Sequence, residues 1–312
     1  MRRFILSLVV ATYVAFGASA HNPKAWGKMK KDVNLFLVSD VGREGCHYQQ
    51  VVASLMNDMA AKVKPMAIVA TGDTHHGNGV KSVKDNDWAQ NFENIYYHPR
   101  LKSLAWYPAF GNHEYRGNTQ AVIDYGKVDP RWKMSNRYYT TVFQKGGTSV
   151  RLVVIDTTPL IEKSRENEKY ADAAEQDKEA QLQWLDEVLS KAKEDWVIVA
   201  GHHPIHADTK KNKVERTNMR NTVNEVLRNH NNVDIYLCGH IHNFQHLRDK
   251  GCNIDYVVNT SGAESRSVRS TKRTVYCSGE CGFSVLTANE KVLTLYMVDK
   301  NGNVLHTLKR TK

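Results

Sequence analysis

Three absences narrow what this sequence can be. No block of lysines and arginines of the kind that forms a nucleic-acid-binding tail occurs, although the 312-residue chain carries 43 Lys and Arg against 33 Asp and Glu, a net charge of +10 with His neutral. That excess suits anionic substrates or surfaces and does not imply DNA. No internal repeat or low-complexity segment occurs, which excludes solenoid arrays. The amino-terminal apolar run from Phe4 to Phe16 is too short for a stable membrane anchor. With Arg2 and Arg3 before it and Ala18-Ser19-Ala20 after it, the run instead has the build of a cleavable export signal over residues 1–20. Its removal leaves residues 21–312, still basic. Cysteine is scarce and odd in number, five residues, which fits an oxidising compartment with one or two disulfides and a spare thiol. Cys277 and Cys281, in CSGEC, read as either a pair or two free thiols, and Cys238, inside VDIYLC, as a small core residue.

What is present is a recurrence. With 41% hydrophobic and 24% charged residues the composition is that of a globular protein. Five times an apolar run ends in polar residues able to hold a metal: LFLVSD, MAIVATGD, WYPAFGNHE, WVIVAGHH and IYLCGHIH. Runs this short and uniformly apolar predict strands covered on both faces, while the spacers 47–63, 85–98, 172–193 and 214–229 carry helical patterns. The clearest has Leu182, Leu185, Val188 and Leu189 on one face. Alternating strands and helices predict a mainly parallel sheet, whose carboxyl-end loops share one edge. Hairpins are expected around Lys145-Gly146-Gly147 and Asn301-Gly302, forming a second sheet packed on the first. The polar stretch 161–180 reads as a surface loop that becomes helix, the favoured site of proteolytic nicking.

The candidate metal ligands are Asp40, Asp73, Asn112, His202, His240 and His242, with His75 or His76 in addition. Carboxylate, amide oxygen and imidazole suit iron, zinc or manganese, and thiolates are absent from the set. One shared Asp can bridge two cations ~3.5–4 Å apart in hydrolytic sites. The alternation His240-Ile241-His242 places both imidazoles on one side of an extended segment. Each residue alone has an ordinary alternative as a helix cap, turn or core histidine. Gathered without a cation, however, they would stack buried charge at several kcal/mol each, about the cost that burial exacts of unpaired ions.

The ordered set Asp40-x-Gly42, Gly72-Asp73-x-x-His76, Gly111-Asn112-His113-Glu114, Val199-x-x-His202 and Gly239-His240-x-His242 resembles the calcineurin-like metallophosphoesterases, and among them the small, tartrate-resistant type of purple acid phosphatase. The likeness extends through QLQWLDEVLSKAKEDWVIVAGHHP and YVVNTSGAES. It implies an α/β fold, a four-layer α/β/β/α sandwich of two mixed β-sheets flanked by helices, with residues 21–312 as one catalytic domain. It further implies one cation on Asp40 and His242, a second on Asn112, His202 and His240, and Asp73 bridging them, the metals being iron with iron, zinc or manganese. The family places a tyrosine three residues after the bridging Asp, and its phenolate gives the purple colour. This chain has His76 there. Broader relatives carry a His two residues after the first Asp, where this chain has Gly42, so His76 is the expected replacement donor.

The implied reaction is hydrolysis of a phosphate monoester by a metal-held water that has lost its proton and attacks phosphorus in line. His113 is the expected proton donor to the leaving alcohol, Glu114 its orienting partner, and Asn112, His113, His203 and His206 the lining of the phosphate pocket. The expected protein is a secreted monomer, in a periplasm, a lysosome-like compartment or the medium, acting on small phosphorylated substrates or phosphoproteins, without nucleic acid and without a stable membrane anchor. The alternatives are a phosphodiesterase or phosphoprotein phosphatase on the same scaffold, and a metal-poor, non-catalytic surface protein.

Overall fold

A computed structural model describes residues 23–312 apart from Lys211; the export-signal segment lies outside the described residues. The strands in chain order are β1 (Val33–Val38), β2 (Ala67–Ala70), β3 (Ala105–Pro108), β4 (Tyr139–Lys145), β5 (Thr148–Val154), β6 (Trp196–Ala200), β7 (Ile235–Cys238), β8 (Phe244–Arg248), β9 (Asp255–Val258), β10 (Thr274–Ser278), β11 (Gly282–Ala288), β12 (Val292–Asp299) and β13 (Val304–Thr311). They form two mixed sheets. One has six strands in the order β13-β12-β11-β1-β2-β3, and the other seven in the order β10-β8-β9-β7-β6-β5-β4.

Two mixed sheets are what the resemblance implies, but the parallel strands expected from the alternation are divided between them. β1, β2 and β3 run parallel in the six-stranded sheet, and β5, β6, β7 and β9 run parallel in the other. Both expected hairpins form, β4 with β5 and β12 with β13, but each closes the edge of a different sheet and they do not build one together. Local turn chemistry dictates a hairpin, whereas its sheet is chosen by long-range pairing.

Side-chain alternation explains why the strands are apolar on both faces. Leu152 and Val154 of β5, Ile198 and Ala200 of β6, and Ile235 and Leu237 of β7 join the core shared with the first sheet. Their neighbours Val153, Val197, Val199, Tyr236 and Cys238 point the other way, onto Leu185 and Leu189 of the helix Lys178–Lys191 and onto Met219, Val223 and Leu227. Leu182 and Val188 pack at the margin of this second core, as their spacing predicts. The helix Gln49–Val63 covers the first sheet through Val52, Leu55, Met56, Met59 and Val63. The result is two sheets flanked by helices.

Local expectations fare unevenly. Cys238 is a buried core residue, but all five cysteines are free thiols. Cys277 lies on edge strand β10 of one sheet and Cys281 leads into β11 of the other, so the chain between them changes sheets. The segment expected as a surface loop before Lys178 is folded into short turns, Glu162–Arg165, Glu168–Tyr170 and Ala171–Glu175. Arg165 holds them by donating to the carbonyls of Ala173, Ala174 and Gln176. No described helix is long and apolar enough to cross a membrane.

The sheets are also joined by a polar contact. Tyr115, in the loop after β3, donates to the buried Asp156 carboxylate at the end of β5. Burial pushes Asp156 up to about 7, against the Tyr115 hydrogen bond and the Arg137 charge, which lower it. The folded chain thus keeps a proton there that the unfolded chain releases near the ordinary carboxylate value of 3.8. Between these values the native state binds more protons, so this group's contribution to stability declines as pH rises from about 4 to about 7. Chemical denaturation of Asp156→Asn across that range is expected to show a shallower loss of stability than the parent; an identical slope would assign the pH dependence to other groups.

Candidate metal centre

Asp40, Asp73 and Asn112 follow β1, β2 and β3, and His202, His240 and His242 follow β6 and β7, so all lie at the carboxyl ends of parallel strands. Because the sheets stack face to face, these two rims adjoin. The loops then interlock through the backbone. Asp40 N–H donates to the Gly72 carbonyl at 3.0 Å, Gly239 N–H to that of His202 at 3.0 Å, and His240 N–H to Asp40 Oδ2 at 2.9 Å. Two glycines permit the approach: a Cβ on Gly111 would sit 2.1 Å from Asp73 Oδ1, and one on Gly239 would sit 1.7 Å from Ser39 Oγ.

Four of the expected ligands have left-handed backbone conformations, with φ of 50° at Asp40, 52° at Asp73, 71° at His240 and 58° at His242. Such strain costs on the order of 1–3 kcal/mol per residue and persists where the surroundings fix it. It also corrects the expectation of an extended His240-Ile241-His242 segment. β7 ends at Cys238 and the chain bends through both histidines, so their rings diverge into different donor groups.

One group brings together Asp40, His76 and His242, and another Asp73, His202 and His240, each with donor atoms within 4.8 Å of one another. Asp73 lies between them. Its Oδ2 is 3.3 Å from His202 Nε2, 3.6 Å from His76 Nε2 and 3.9 Å from His113 Nε2. Asn112 Oδ1 is 3.3 Å from His202 Nε2.

The tautomers give the arrangement its meaning. His202 Nδ1–H donates to the Thr71 carbonyl at 2.8 Å, which leaves the Nε2 lone pair facing inward. His240 Nε2–H donates to Glu215 Oε2 at 3.0 Å, which turns the Nδ1 lone pair inward, 3.2 Å from His202 Nε2. Two imidazole lone pairs, an amide oxygen and a carboxylate oxygen thus face one another with no donor between them, an arrangement that a cation satisfies. In the other group Asp40 Oδ1 is buried without a hydrogen-bond partner, and His242 Nε2 stands 3.2 Å from it. The donor set therefore fits a pair of cations. In the absence of a cation a proton takes its place: burial opposes charge on His202, but the Asp73 carboxylate prevails and pushes it up to about 10.

Of the two adjacent histidines, the structure brings His76 to the cluster. His75 is buried with its ring edge on Trp88, centroids 4.4 Å apart, and neither of its nitrogens has a hydrogen-bond partner. Burial depresses both rings to about 3. His113 is fixed through its N–H to Asp73 Oδ1 at 3.0 Å and through Nδ1 to the Gly77 carbonyl at 3.0 Å.

Three auxiliary expectations change. Glu114 does not orient His113; its oxygens accept the backbone N–H groups of Asp73, His75 and Gly111 at 3.0, 2.9 and 2.7 Å, so it ties two loops together. Burial and the Asp73 charge push it up to about 7. His203 is buried, hydrogen-bonded through Nδ1 to Thr157 Oγ1 at 2.8 Å and packed on the His240 ring, and it forms a further donor group with Glu215 and His240. His206 joins none of the donor groups among the described residues. Its ring edge packs on Tyr256, and its Nε2 is 3.9 Å from Asp249.

Sequence reasoning missed Glu215, Glu264 and Thr157. Glu264 Oε1 lies 3.1 Å from His242 Nδ1 and 2.5 Å from Arg43. It belongs to the SGAES stretch, where a sixth polar cluster after an apolar strand was available as a signal. Thr157 Oγ1 accepts the N–H groups of His202 and His203. Glu215 is an acid in the first turn of the helix Lys213–Asn221, and nothing local distinguishes it from an ordinary helix-start acid.

Carboxylate, amide and imidazole donors at the shared rim of two stacked mixed sheets define a metal-centred α/β protein. The chain belongs to the calcineurin-like phosphoesterase family, whose model matches residues 33–244. It is 30% identical over 286 residues to purple acid phosphatase 17 of Arabidopsis thaliana, spanning 86% of this chain and 76% of that one. It is 30% identical over 255 residues to tartrate-resistant acid phosphatase type 5 of Oryctolagus cuniculus, spanning 76% and 77%. Among solved structures it shares its fold with GAP50, the anchor in the inner membrane complex of Plasmodium, at a TM-score of 0.77 and 22% identity over 90% of this chain and 89% of that one.

Glu215→Gln keeps the shape of the His240 partner and removes its charge. Removing such an outer partner lowers metal affinity by about 10–100-fold. Titration of the purified protein with Zn²⁺ is expected to show that loss at one of two sites with an unchanged circular dichroism spectrum; parent-like binding at both would detach Glu215 from the centre.

Proposed function

We propose that the chain is an exported acid phosphatase that hydrolyses phosphate monoesters at a dinuclear metal centre, with residues 21–312 as one catalytic unit. The observation that supports this best is that Asp73 Oδ2, Asn112 Oδ1 and the inward nitrogens of His202 and His240 face one another. Asp40, His76 and His242 would hold one cation, Asn112, His202 and His240 the other, with Asp73 between them. The metals are proposed to be iron with iron, zinc or manganese. Once bound, such ions supply Lewis acidity to the phosphoryl group and acidify water at neutral or mildly acidic pH.

The chain's own residues supply the remaining parts. His113 is tethered at Nδ1 by the Gly77 carbonyl and turns Nε2 toward the cluster, so its imidazolium can hand a proton from Nε2 to the leaving alcohol. Burial lowers its pKa below the ordinary imidazole value, Asp73 opposes this, and Arg116 adds to the lowering. A proton donor of that kind is charged only in acid, so the step it serves weakens as pH rises. Export rests on the reading of residues 1–20. The protein is proposed to act as a monomer on small phosphorylated substrates or phosphoproteins.

His113→Ala is expected to lower kcat by about 10²–10⁴ with metal content intact, and to flatten the alkaline fall of the parent's pH profile. Unchanged turnover on an aryl phosphate monoester would remove His113 from the reaction. With His76 in the register of the family's tyrosine, protein loaded with iron is expected to hold close to two metal equivalents per chain and to lack an intense visible charge-transfer band. A purple product would show a phenolate ligand from elsewhere, and well under one equivalent would favour a non-catalytic binder.

A further inference from the structure

Beside the donor cluster lies a cavity of about 910 Å³ whose floor includes Ile241, the residue between the two histidines of the fifth motif. Asn212, in its wall, lies 2.8 Å from His240 Nε2, and Arg266 N–H donates to the His242 carbonyl at 2.7 Å. The cavity therefore abuts the centre on the side of β7.

Its lining is cationic and uncompensated. Lys210, Arg266 and Arg269 come from two loops that face each other, and none of them is ion-paired among the described residues. Asp208 is the one acid in the lining, and both its oxygens are already engaged. Oδ1 accepts from Thr271 Oγ1 at 2.6 Å, and Oδ2 from Thr271 N–H at 3.2 Å and from Thr274 Oγ1. That carboxylate fastens one wall to the other and leaves the three cations free. Val268 and Ile241 add apolar surface for a carbon skeleton, and no aromatic side chain is present on which a nucleobase could stack.

We propose that this cavity seats the leaving-group side of the substrate and selects phosphate esters that carry further negative charge beyond the scissile phosphate. The assignment rests on the phosphatase reading above for its role in turnover. The carboxylates of an acidic phosphopeptide and the second phosphate of a sugar bisphosphate present the same chemistry, and substrate pairs separate them.

The test compares kcat/KM within two matched pairs: a phosphoserine peptide flanked by Asp against one flanked by Asn, and fructose 1,6-bisphosphate against fructose 6-phosphate. Exposed charge pairs are individually weak and screened by salt, so three acting together are expected to give a preference of roughly tenfold at low ionic strength. That preference should shrink with added salt and fall toward one in the triple variant Lys210→Ala, Arg266→Ala, Arg269→Ala, whose changed side chains are exposed and outside the core. Preference confined to the peptide pair identifies a protein substrate, and preference confined to the sugar pair a small one. A ratio near one in the native protein, or an equal ratio in the variant, overturns the assignment.

Binding of a fluorescein-labelled Asp-rich peptide without phosphate, read by anisotropy, separates the two claims. A protein that turns over no ester yet binds this peptide through the three cations refutes the phosphatase reading and upholds the cavity. One that shows neither turnover nor charge-dependent binding refutes both.

Discussion

Acceptor atoms that face one another at Asp73 Oδ2 are the constraint on which the rest of this structure depends. Burying a carboxylate, an amide oxygen and two imidazole lone pairs together is unfavourable unless positive charge joins them. The chain nevertheless holds them there at further cost, in left-handed backbone at Asp40, Asp73, His240 and His242. Only an over-determined surrounding can keep such strain. It is supplied by the interlocked loop backbones, by Glu114 binding three N–H groups, and by the carboxylates of Glu215 and Glu264 set behind the two histidines of the fifth motif.

The two stacked sheets provide the rigidity that this arrangement needs. Strands apolar on both faces bury one set of side chains between the sheets and the other beneath the helices, so the rims carrying the loops cannot slide independently. The Tyr115 and Asp156 contact fastens the sheets near the site. Away from it, the buried Asp255 of β9 accepts from His246, Arg248 and Arg310, joining β13 of one sheet to the other. His206, packed on Tyr256 and facing Asp249, lies outside the donor groups.

The His76 position shows how a local substitution is absorbed. A Cβ on Gly42 would come within 2.5 Å of His76 N, so the loop that carries His76 occupies the space a side chain at 42 would need. The imidazole takes its place among Asp40, His242 and Asp73, while its neighbour His75 goes into the apolar pocket beside Trp88. Adjacent residues in a loop point in opposed directions, and here one direction is the centre and the other is the core.

Both hairpins, the helix with Leu185 and Leu189 inward, and the seven residues that converge as donors were legible in the chain. Each rests on short-range chemistry: turn residues, hydrophobic period, and metal-binding side chains at strand ends. Which strands join which of the two sheets, the bend that separates His240 from His242, the free Cys277 and Cys281, and the roles of Glu215 and Glu114 were not legible. By itself the sequence determined which residues are able to bind a cation and that they end strands. The tertiary structure decided which of them are grouped together, which carboxylates stand behind them and what lines the space alongside. Strand pairing and the directions of buried side chains depend on partners far along the chain, and no local pattern encodes those partners.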